Sequence, residues 1–241
     1  AIPKGSGLGT SSIMGAGLMA VIQRSIGRTL THNALFHAVL CLEQMLTTGG
    51  GWQDQIGGAV GGVKIVSAQP GLVPAPQIHY LPPDLLDPEL NAGQTLLYYT
   101  GITRLAKNIL EQVVGRYLNR NRHAMTTLRK VHQVARKTAE AISRKDMAGF
   151  GALVNTAWEL NKELDPNSSN DEVEALLKRI GPYCFGAKLL GAGGGGFLLM
   201  VCKSPQDACA LRADLEKDPS NERARFFDYN VNPSGLTVTV C

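Results

Sequence analysis

The sequence lacks the features that mark export, structural metal binding or a membrane span. Its five cysteines are odd in number and contain no Cys-x-x-Cys pair, which argues against a disulfide framework or a zinc site. It shows no signal peptide and no apolar run of about 18 residues. Aromatic residues make up only 6% of the chain, and the net charge of +4 is too small to indicate nucleic acid. We therefore expect a cytoplasmic globular protein with reduced thiols and no membrane or nucleic-acid partner.

Glycine, by contrast, is abundant and clustered. The 27 glycines concentrate at 5–9, 49–62 and 191–196. The first cluster reads PKGSGLGTSS and is followed at once by an apolar segment with helical character. Glycine permits the positive φ angles that let backbone N–H groups surround an anion, and a helix N-terminus adds further N–H groups and a positive dipole end. This segment is therefore a candidate phosphate-binding loop.

The loop does not match the two commonest phosphate-binding patterns. A P-loop has Lys directly after its last glycine, where this chain has Thr10. A dinucleotide fingerprint has a strand before it and places its third glycine later than Gly9. The residues alone leave two readings open, which are a phosphate loop and a turn that leads into a helix capped by Thr10 or Ser11.

The hydrophobic pattern predicts an α+β chain. We expect a helix at 11–26 that is apolar on nearly every side and therefore buried, and a second helix from Thr31 or Asn33 to about Leu46. The range 47–62 reads as a glycine-rich loop. Further helices are expected at 103–118, 123–143, 146–163, 170–181 and 205–217. Strands are expected at 63–66, 78–81, 95–100 and 197–202, with a closing hairpin of 224–231 and 236–240.

Two carboxylates fall near the glycine-rich segments. Glu43 lies near the end of the second helix, on the shoulder of its apolar stripe, and Asp54 follows eleven residues later within TTGGGWQDQ. Each acid alone is more often a solvated surface group. Phosphoryl transfer needs an anion cradle, Mg²⁺ held by oxygen ligands, and an acid that orients or deprotonates the attacking hydroxyl. The loop, a serine hydroxyl, Glu43 and Asp54 offer one candidate for each role.

The second glycine run also matches G-x-G-x-x-G through Gly191, Gly193 and Gly196. A strand follows it where a dinucleotide site needs a helix, which excludes the Rossmann reading. Without a family in view, close packing of backbone on backbone is as good an interpretation as ligand contact.

The ordered set of segments resembles the GHMP kinase family. GSGLGTSS, the acids at 43 and 54, and KLLGAGGGG are similar to its successive landmarks, and LEQMLTTGGGWQDQ and LLYYTGITRLAKN resemble its fucokinase branch most. The heptose-phosphate kinase branch is the nearest alternative. The resemblance implies a GHMP kinase fold, with a partial ribosomal-S5-like N-terminal half at 1–90 and a ferredoxin-like C-terminal half at 91–241.

The resemblance also implies roles for individual residues. ATP would be bound by the loop and by the second glycine run, through Gly5, Ser6, Gly7, Leu8, Gly9, Thr10, Ser11, Ser12, Gly193 and Gly194. Mg²⁺ would be bound by Ser11 and Glu43, and Asp54 would orient or take the proton of the anomeric hydroxyl of L-fucose. Thr100, Gly101 and Arg104 have weaker support as residues that face the same cleft.

One departure from the family is large, because the N-terminal strand segment that precedes the loop in family members is absent. We therefore expect a fragment whose missing part is supplied by the N-terminal kinase segment or by another copy of the chain. Two readings of other classes are a nucleic-acid-binding domain and a catalytically silent scaffold. Basic residues between Glu111 and Glu140 favour the first of these, but stacking aromatics are lacking there.

Overall fold

The computed structural model describes residues 3, 6–46, 51–69, 71, 75–102 and 107–239. The chain divides into two compact units. The smaller unit comprises Leu8–Leu81 together with Val231 and the residues after it, and the larger unit comprises the residues up to Gly7 together with Pro82–Asn230. The domain boundary expected at residue 90 stays a prediction.

The described residues of the smaller unit form three helices and a two-stranded sheet. The helices are α1 (Thr10–Ser25), α2 (His32–Met45) and α3 (Gln53–Ala59), and the antiparallel strands are β1 (Lys64–Ala68) and β2 (Pro76–Tyr80). Thr31 caps α2 by accepting a hydrogen bond from the Ala34 N–H. A small core around Phe36, Val39 and Ile56 joins the helices.

Helix α3 corrects the prediction that 47–62 is a loop. Its buried residues Gln55, Ile56 and Ala59 recur at helical spacing and pack toward α1 and α2. A Cβ at Gly58 would collide with Ile13 of α1, so this glycine allows two helices to approach closely. Here glycine allows close helix packing, whereas the abundance of glycine in the sequence predicts a loop. Residues 47–50 lie outside the described ranges.

Helix α1 begins one residue earlier than expected and is not buried on all sides. Ser12 and Ala16 are buried, and Met19 and Ala20 pack against the small core. On another face Met14 is 69% exposed, Leu18 58% and Val21 53%. The prediction of complete burial was wrong, because among the described residues only one side of the helix has neighbours to pack against.

The larger unit is built on a four-stranded antiparallel sheet. Its strands are β3 (Thr95–Tyr99), β4 (Cys184–Leu189), β5 (Phe197–Cys202) and β6 (Arg225–Phe227), in the spatial order β4-β5-β3-β6. Within the described part of this unit the accompanying helices are α4 (Lys107–Leu118), α5 (Arg122–Ser143), α6 (Met147–Leu164), α7 (Asp171–Ile180) and α8 (Pro205–Lys217). This strand order confirms the predicted ferredoxin-like half.

One face of this sheet carries the main core. Leu198, Met200 and Leu211 have no exposed surface, and Trp158 of α6 and Val173 of α7 join the same cluster. The alternation of β5 side chains explains the arrangement, since residues two apart on a strand point to the same face. Helices α6, α7 and α8 each contribute an apolar stripe to this face.

The closing hairpin expected at 224–231 and 236–240 does not form. Only Arg225–Phe227 is a strand, and residues 236–239 are not in a strand. The Leu236 N–H donates to the Ala59 carbonyl, and the Gly62 N–H donates to the Asn232 carbonyl. The tail therefore bonds to the last residue of α3 and to the segment that follows it, and it does not pair with β6.

Within the described ranges, no helix combines the length and the apolar composition that crossing a bilayer requires. The four described cysteines, Cys41, Cys184, Cys202 and Cys209, are free thiols.

Candidate active site

The first glycine loop leads directly into α1. Gly7 and Gly9 adopt φ angles of 77° and 64°, in the left-handed region that favours glycine. Gly9 is the N-cap of α1, so neither Thr10 nor Ser11 caps the helix as one reading expected. A glycine N-cap offers no side-chain acceptor to the first-turn N–H groups, which suits a helix end that meets an anion. Gly5 lies outside the described residues.

Glu43 meets one of the hydroxyls that open α1. It is 7% exposed on α2, and the Ser12 Oγ donates a 2.5 Å hydrogen bond to its Oε1. Ser12 is itself buried, whereas the neighbouring Ser11 is exposed. Successive helical residues point about 100° apart, so the two serines cannot face Glu43 in the same way. The structure thus joins Glu43 to Ser12, and the metal-binding role of Ser11 stays a prediction.

Asp54 lies against the last glycine of the loop. A Cβ built on Gly9 would fall 2.7 Å from both Cβ and Cγ of Asp54 and 3.0 Å from its Oδ2. Any side chain at position 9 would therefore displace this carboxyl group. Burial raises the pKa of Asp54, and the negative charge of Glu43 raises it further.

These two acids are the only ones in the sequence from Leu8 to Leu81. Both stand beside the loop and the first turn of α1, one against Gly9 and the other against Ser12. Two carboxylates whose charges disfavour each other, next to glycine backbone, are a typical environment for a cation and a proton-transfer group.

The second glycine run belongs to the larger unit. All of its glycines from Gly191 to Gly196 have positive φ angles. A Cβ on Gly7 would lie 2.6 Å from the Leu190 carbonyl oxygen, and the Phe197 N–H donates to the Ser6 carbonyl at 3.1 Å. The run therefore packs backbone to backbone against the beginning of the first loop.

Gly193 and Gly194 contact a different segment. The Gly194 N–H donates a 2.5 Å hydrogen bond to the Ser168 carbonyl, and a Cβ on Gly193 would lie 3.0 Å from the Ser168 Cα. The Gly194 N–H is thus already used within the protein. A contribution of Gly194 to nucleotide binding therefore has to come from the close approach that a missing side chain allows.

The three candidates with weaker support are Thr100, Gly101 and Arg104. The Thr100 Oγ1 donates to the Gly196 carbonyl at 2.9 Å, and the Asn221 Nδ2 donates to the Thr100 carbonyl at 2.8 Å, beside Gly101. These contacts place Thr100 against the second glycine run and Gly101 against Asn221. Arg104 lies outside the described residues.

Sequence reasoning missed Lys188, two residues before the second glycine run. It lies in β4, and its Nζ donates to the Leu189 carbonyl at 2.9 Å. Burial lowers the pKa of Lys188 to about 8. The lysine stands inside the motif KLLGAGGGG, but an isolated cation in a strand gives no signal of its burial.

The residues beside the loop suit Mg²⁺. This ion prefers oxygen ligands and usually keeps several waters while it takes one or two carboxylates and substrate phosphates. Across the described ranges no group of three or more His, Cys, Asp or Glu residues could hold a metal by itself. Glu43 and the α1 hydroxyls therefore fit a metal that arrives with a nucleotide better than a permanently bound ion.

Two family models match the chain, in an order that follows the two halves. The model described as "GHMP kinases N terminal domain" matches residues 1–62, and the model described as "GHMP kinases C terminal" matches residues 138–221. The chain belongs to the GHMP kinase family. The first loop, Glu43 and Asp54 all lie within the residues that the N-terminal family model matches.

The chain is similar to two much longer proteins, one from a bacterium and one from a plant. It is 42% identical to an L-fucokinase/L-fucose-1-P guanylyltransferase of Bacteroides fragilis over 99% of the chain and 25% of that protein. It is 40% identical to a bifunctional fucokinase/GDP-fucose pyrophosphorylase of Arabidopsis thaliana over 90% of the chain and 20% of that protein. The chain therefore spans a quarter or less of the length of these two relatives.

A further relative is nearer in length. The chain is 29% identical to a D-glycero-alpha-D-manno-heptose 7-phosphate kinase of Campylobacter jejuni, over 98% of the chain and 67% of that protein.

Solved structures agree on the fold. A mevalonate kinase of L. major, in complex with R-mevalonate, superposes with a TM-score of 0.70 at 20% identity, over 98% of this chain and 69% of that one. A Lactococcus lactis galactokinase complexed with galactose gives 0.71 at 15% identity, over 98% and 68%. At such identities the likeness concerns the fold alone, and it confirms the predicted α+β GHMP kinase fold.

Proposed function

We propose that the chain is the kinase part of a longer enzyme, which transfers the γ-phosphoryl group of ATP to the anomeric hydroxyl of L-fucose. The observation that carries the proposal is the placement of both acids of the 8–81 segment beside the glycine loop and α1. The identities of 42% and 40% to fucokinases support the sugar. A cytoplasmic location stays an expectation from the sequence.

The roles follow from the contacts. Backbone N–H groups of the loop and of the first turn of α1 bind phosphate oxygens, for which Gly7 and Gly9 supply the open backbone. Glu43, with the hydroxyls of Ser11 and Ser12, would hold Mg²⁺. That ion, when bound, neutralises charge on the phosphates.

Asp54 acts on the sugar. A hydroxyl held against the carboxylate donates its proton to Asp54 while its oxygen forms a bond to the γ-phosphorus. The bond between that phosphorus and the bridging oxygen breaks, and ADP leaves with the electron pair. The raised pKa of Asp54 favours this transfer, because a more basic carboxylate takes a proton more readily.

Replacing Asp54 by Asn tests the assignment. We expect Asp54→Asn to reduce turnover about 1000-fold, the range typical of a lost general base, with a KM for ATP within about threefold of the wild type. Steady-state kinetics on the longest natural polypeptide that contains this chain would measure both. Asp84→Asn is the matched control, since Asp84 pairs with Lys145 on the surface.

The stability of the same variant gives an independent check. Because the folded pKa of Asp54 lies above its ordinary value of 3.8, its contribution to stability is present at low pH and is lost as pH rises through the folded pKa. Asp54→Asn should therefore not lower the thermal midpoint at pH 7. Turnover near the wild-type level would refute the catalytic role of Asp54.

The heptose-phosphate kinase reaction is the second candidate, supported by the 29% identity over 67% of the Campylobacter protein. Turnover with Mg-ATP and either L-fucose or a heptose 7-phosphate separates the two. We expect L-fucose to be the better substrate by kcat/KM, and the reverse ranking would replace the first candidate by the second.

We also infer that another part of the longer protein covers the exposed face of α1. Met14, Leu18, Val21 and Ile22 recur at i, i+4, i+7 and i+8, and all are at least 46% exposed. Contiguous exposed apolar side chains are typical of an interface. The relatives are at least four times longer than the matched region, which gives ample chain for the purpose. Another copy of this chain is the alternative occupant.

A further inference from the structure

The second glycine run rests on a buried aspartate that the proposed reaction does not use. Asp165 follows α6 and precedes a single 3-10 turn at Pro166–Ser168. It has no exposed surface. Its Oδ1 accepts hydrogen bonds from the backbone N–H of Asn167 at 3.0 Å and from the Asn167 Nδ2 at 2.9 Å. Asp165 therefore closes an Asx-type turn from inside the protein.

The same turn is fixed at Ser168. The Ser168 N–H donates to the Asp165 carbonyl at 2.9 Å, and Ser168 is only 2% exposed. The Ser168 carbonyl then accepts the 2.5 Å hydrogen bond from Gly194. A short chain of contacts thus runs from the Asp165 carboxylate through the turn to the middle of the glycine run.

The glycine run depends on such outside contacts for its shape. It has no helix or strand of its own, and consecutive glycines have the largest conformational freedom of any residues. Its described anchors include Gly7, Ser168, Thr100, which donates to the Gly196 carbonyl at 2.9 Å, and Ile102, whose carbonyl accepts the Gly196 N–H at 2.9 Å. Of these, Ser168 is the one that holds Gly193 and Gly194.

A carboxylate is a costly group for this position. Burying one is unfavourable unless both oxygens are bonded, and the Asp165 Oδ2 is buried with no hydrogen-bond partner among the described residues. A residue that breaks a stability rule without local compensation is typical of a site shaped for function. In the turn itself, the carboxylate accepts two hydrogen bonds from Asn167, and these define the shape of the turn.

We propose that Asp165 is a positioning residue, which holds the Asn167–Ser168 turn and thereby gives Gly193 and Gly194 the backbone shape that a nucleotide meets. The nucleotide half of this statement rests on the proposed kinase function. The turn half does not, and the two can be measured separately.

The experiment compares Asp165→Ala, Asp165→Asn and Asn170→Ala. Asparagine keeps the Oδ1 acceptor and the volume, whereas alanine removes the turn's acceptor. Asn170 is a matched control in the same segment, since its side chain caps α7 by accepting from the Val173 N–H at 3.0 Å and is not bonded to Ser168. Hydrogen exchange of the segment 190–197 and calorimetric titration with Mg-ATP, both on the longest natural polypeptide that contains this chain, are the readouts.

We expect Asp165→Ala to speed exchange in 190–197 and to weaken Mg-ATP binding about tenfold, as for other residues that orient a site from behind. Asp165→Asn should restore both to within about twofold. Asn170→Ala should lower the thermal midpoint through its lost helix cap while leaving exchange in 190–197 and the Kd for Mg-ATP unchanged.

The proposal would be overturned if Asp165→Ala left the exchange rates in 190–197 at their wild-type values. It would also be overturned if exchange became faster while the Kd for Mg-ATP stayed unchanged. Equal damage from Asn and Ala would also overturn it, because the charge and not the turn would then matter. Failure of the wild-type chain to bind Mg-ATP would contradict the proposed function instead, and the exchange comparison would still decide whether Asp165 shapes the run.

Discussion

The two units differ in how completely they bury their apolar residues. In the larger unit, Leu198, Met200 and Leu211 have no exposed surface and helices cover one face of the sheet. In the smaller unit, Met14 and Leu18 of α1 are 69% and 58% exposed, although Val39 in the core of the same unit is fully buried. The larger unit thus has a closed core, and the smaller unit has a core on one side of its first helix only.

This difference teaches where function and stability reside. The smaller unit carries both candidate acids and the Gly9–Asp54 contact, so two carboxyl groups lie beside the start of α1. The larger unit carries most of the apolar burial, which is the dominant favourable term in folding. Changes in the apolar core of the larger unit should therefore act mainly on stability, and changes on the exposed face of α1 mainly on association.

The largest expected effect is in the larger core. Leu211→Ala should lower the free energy of unfolding by about 3 kcal/mol, the cost of lost burial and a cavity. Leu90→Ala, at a residue that is 58% exposed in the same unit, is the control and should cost less than about 0.5 kcal/mol. Urea unfolding measures both. Equal costs for the two variants would mean that the larger core is looser than the structure shows.

Two lysines sharpen the comparison of the units. In the smaller unit, the Lys64 Nζ donates to the carbonyls of Gly57, Val60 and Gly62, at 3.3, 2.6 and 2.9 Å. In the larger unit, the Lys188 Nζ donates to the Leu189 carbonyl, and burial lowers its pKa from 10.5 to about 8. Burial lowers the pKa of both lysines, but Lys64 donates to three carbonyls and caps the end of α3, whereas Lys188 donates to one.

Lys188→Met should therefore stabilise the protein at pH 7, by up to roughly 2–3 kcal/mol. A folded pKa below the unfolded one means that the unfolded chain binds more protons between pH 8 and 10.5, so wild-type stability should rise over that range. The gain from Lys188→Met should shrink over the same range. Lys64→Met should destabilise instead, because three carbonyls lose their donor. Urea unfolding at pH 7 and 9.5 decides, and a Lys188→Met variant less stable at pH 7 would contradict the account.

The smallest effect on stability is expected on α1. The double change Met14→Gln with Leu18→Gln should alter the free energy of unfolding of the chain by less than about 0.5 kcal/mol, since both side chains are already exposed. Light scattering across a range of concentrations should show less self-association than in the wild type. Val39→Ala, inside the same unit, is the contrast and should destabilise by about 1–2 kcal/mol. A large loss of stability from the α1 change would show that its face is covered within the chain.

Sequence reasoning predicted elements with a strong period and missed those that depend on neighbours. The strand at 197–202 and the helix at 205–217 match the structure residue for residue, because alternation and helical spacing are local. Helix α3 was missed, since its glycines read as a loop until Ile13 is seen against Gly58. The closing hairpin was predicted from turn chemistry, but the tail bonds to Ala59 and Gly62 instead.

The candidate site divides in the same manner. The loop, Glu43 and Asp54 were selected from residue types and order, and the structure brings Gly9 to Asp54 and Ser12 to Glu43. That Ser12 and not Ser11 meets Glu43 depends on the rotation of α1 against α2. The burial of Lys188 and of Asp165 has no signature in composition or spacing.

The sequence by itself determined the family, the α+β class and the glycine positions, because motif order, periodicity and the need for positive φ are properties of short segments. Tertiary structure alone decided which serine bonds to Glu43, which face of α1 is exposed and that the Ser168 carbonyl accepts a hydrogen bond from Gly194. Those outcomes depend on contacts between residues far apart in the chain, whose free energies no local pattern encodes.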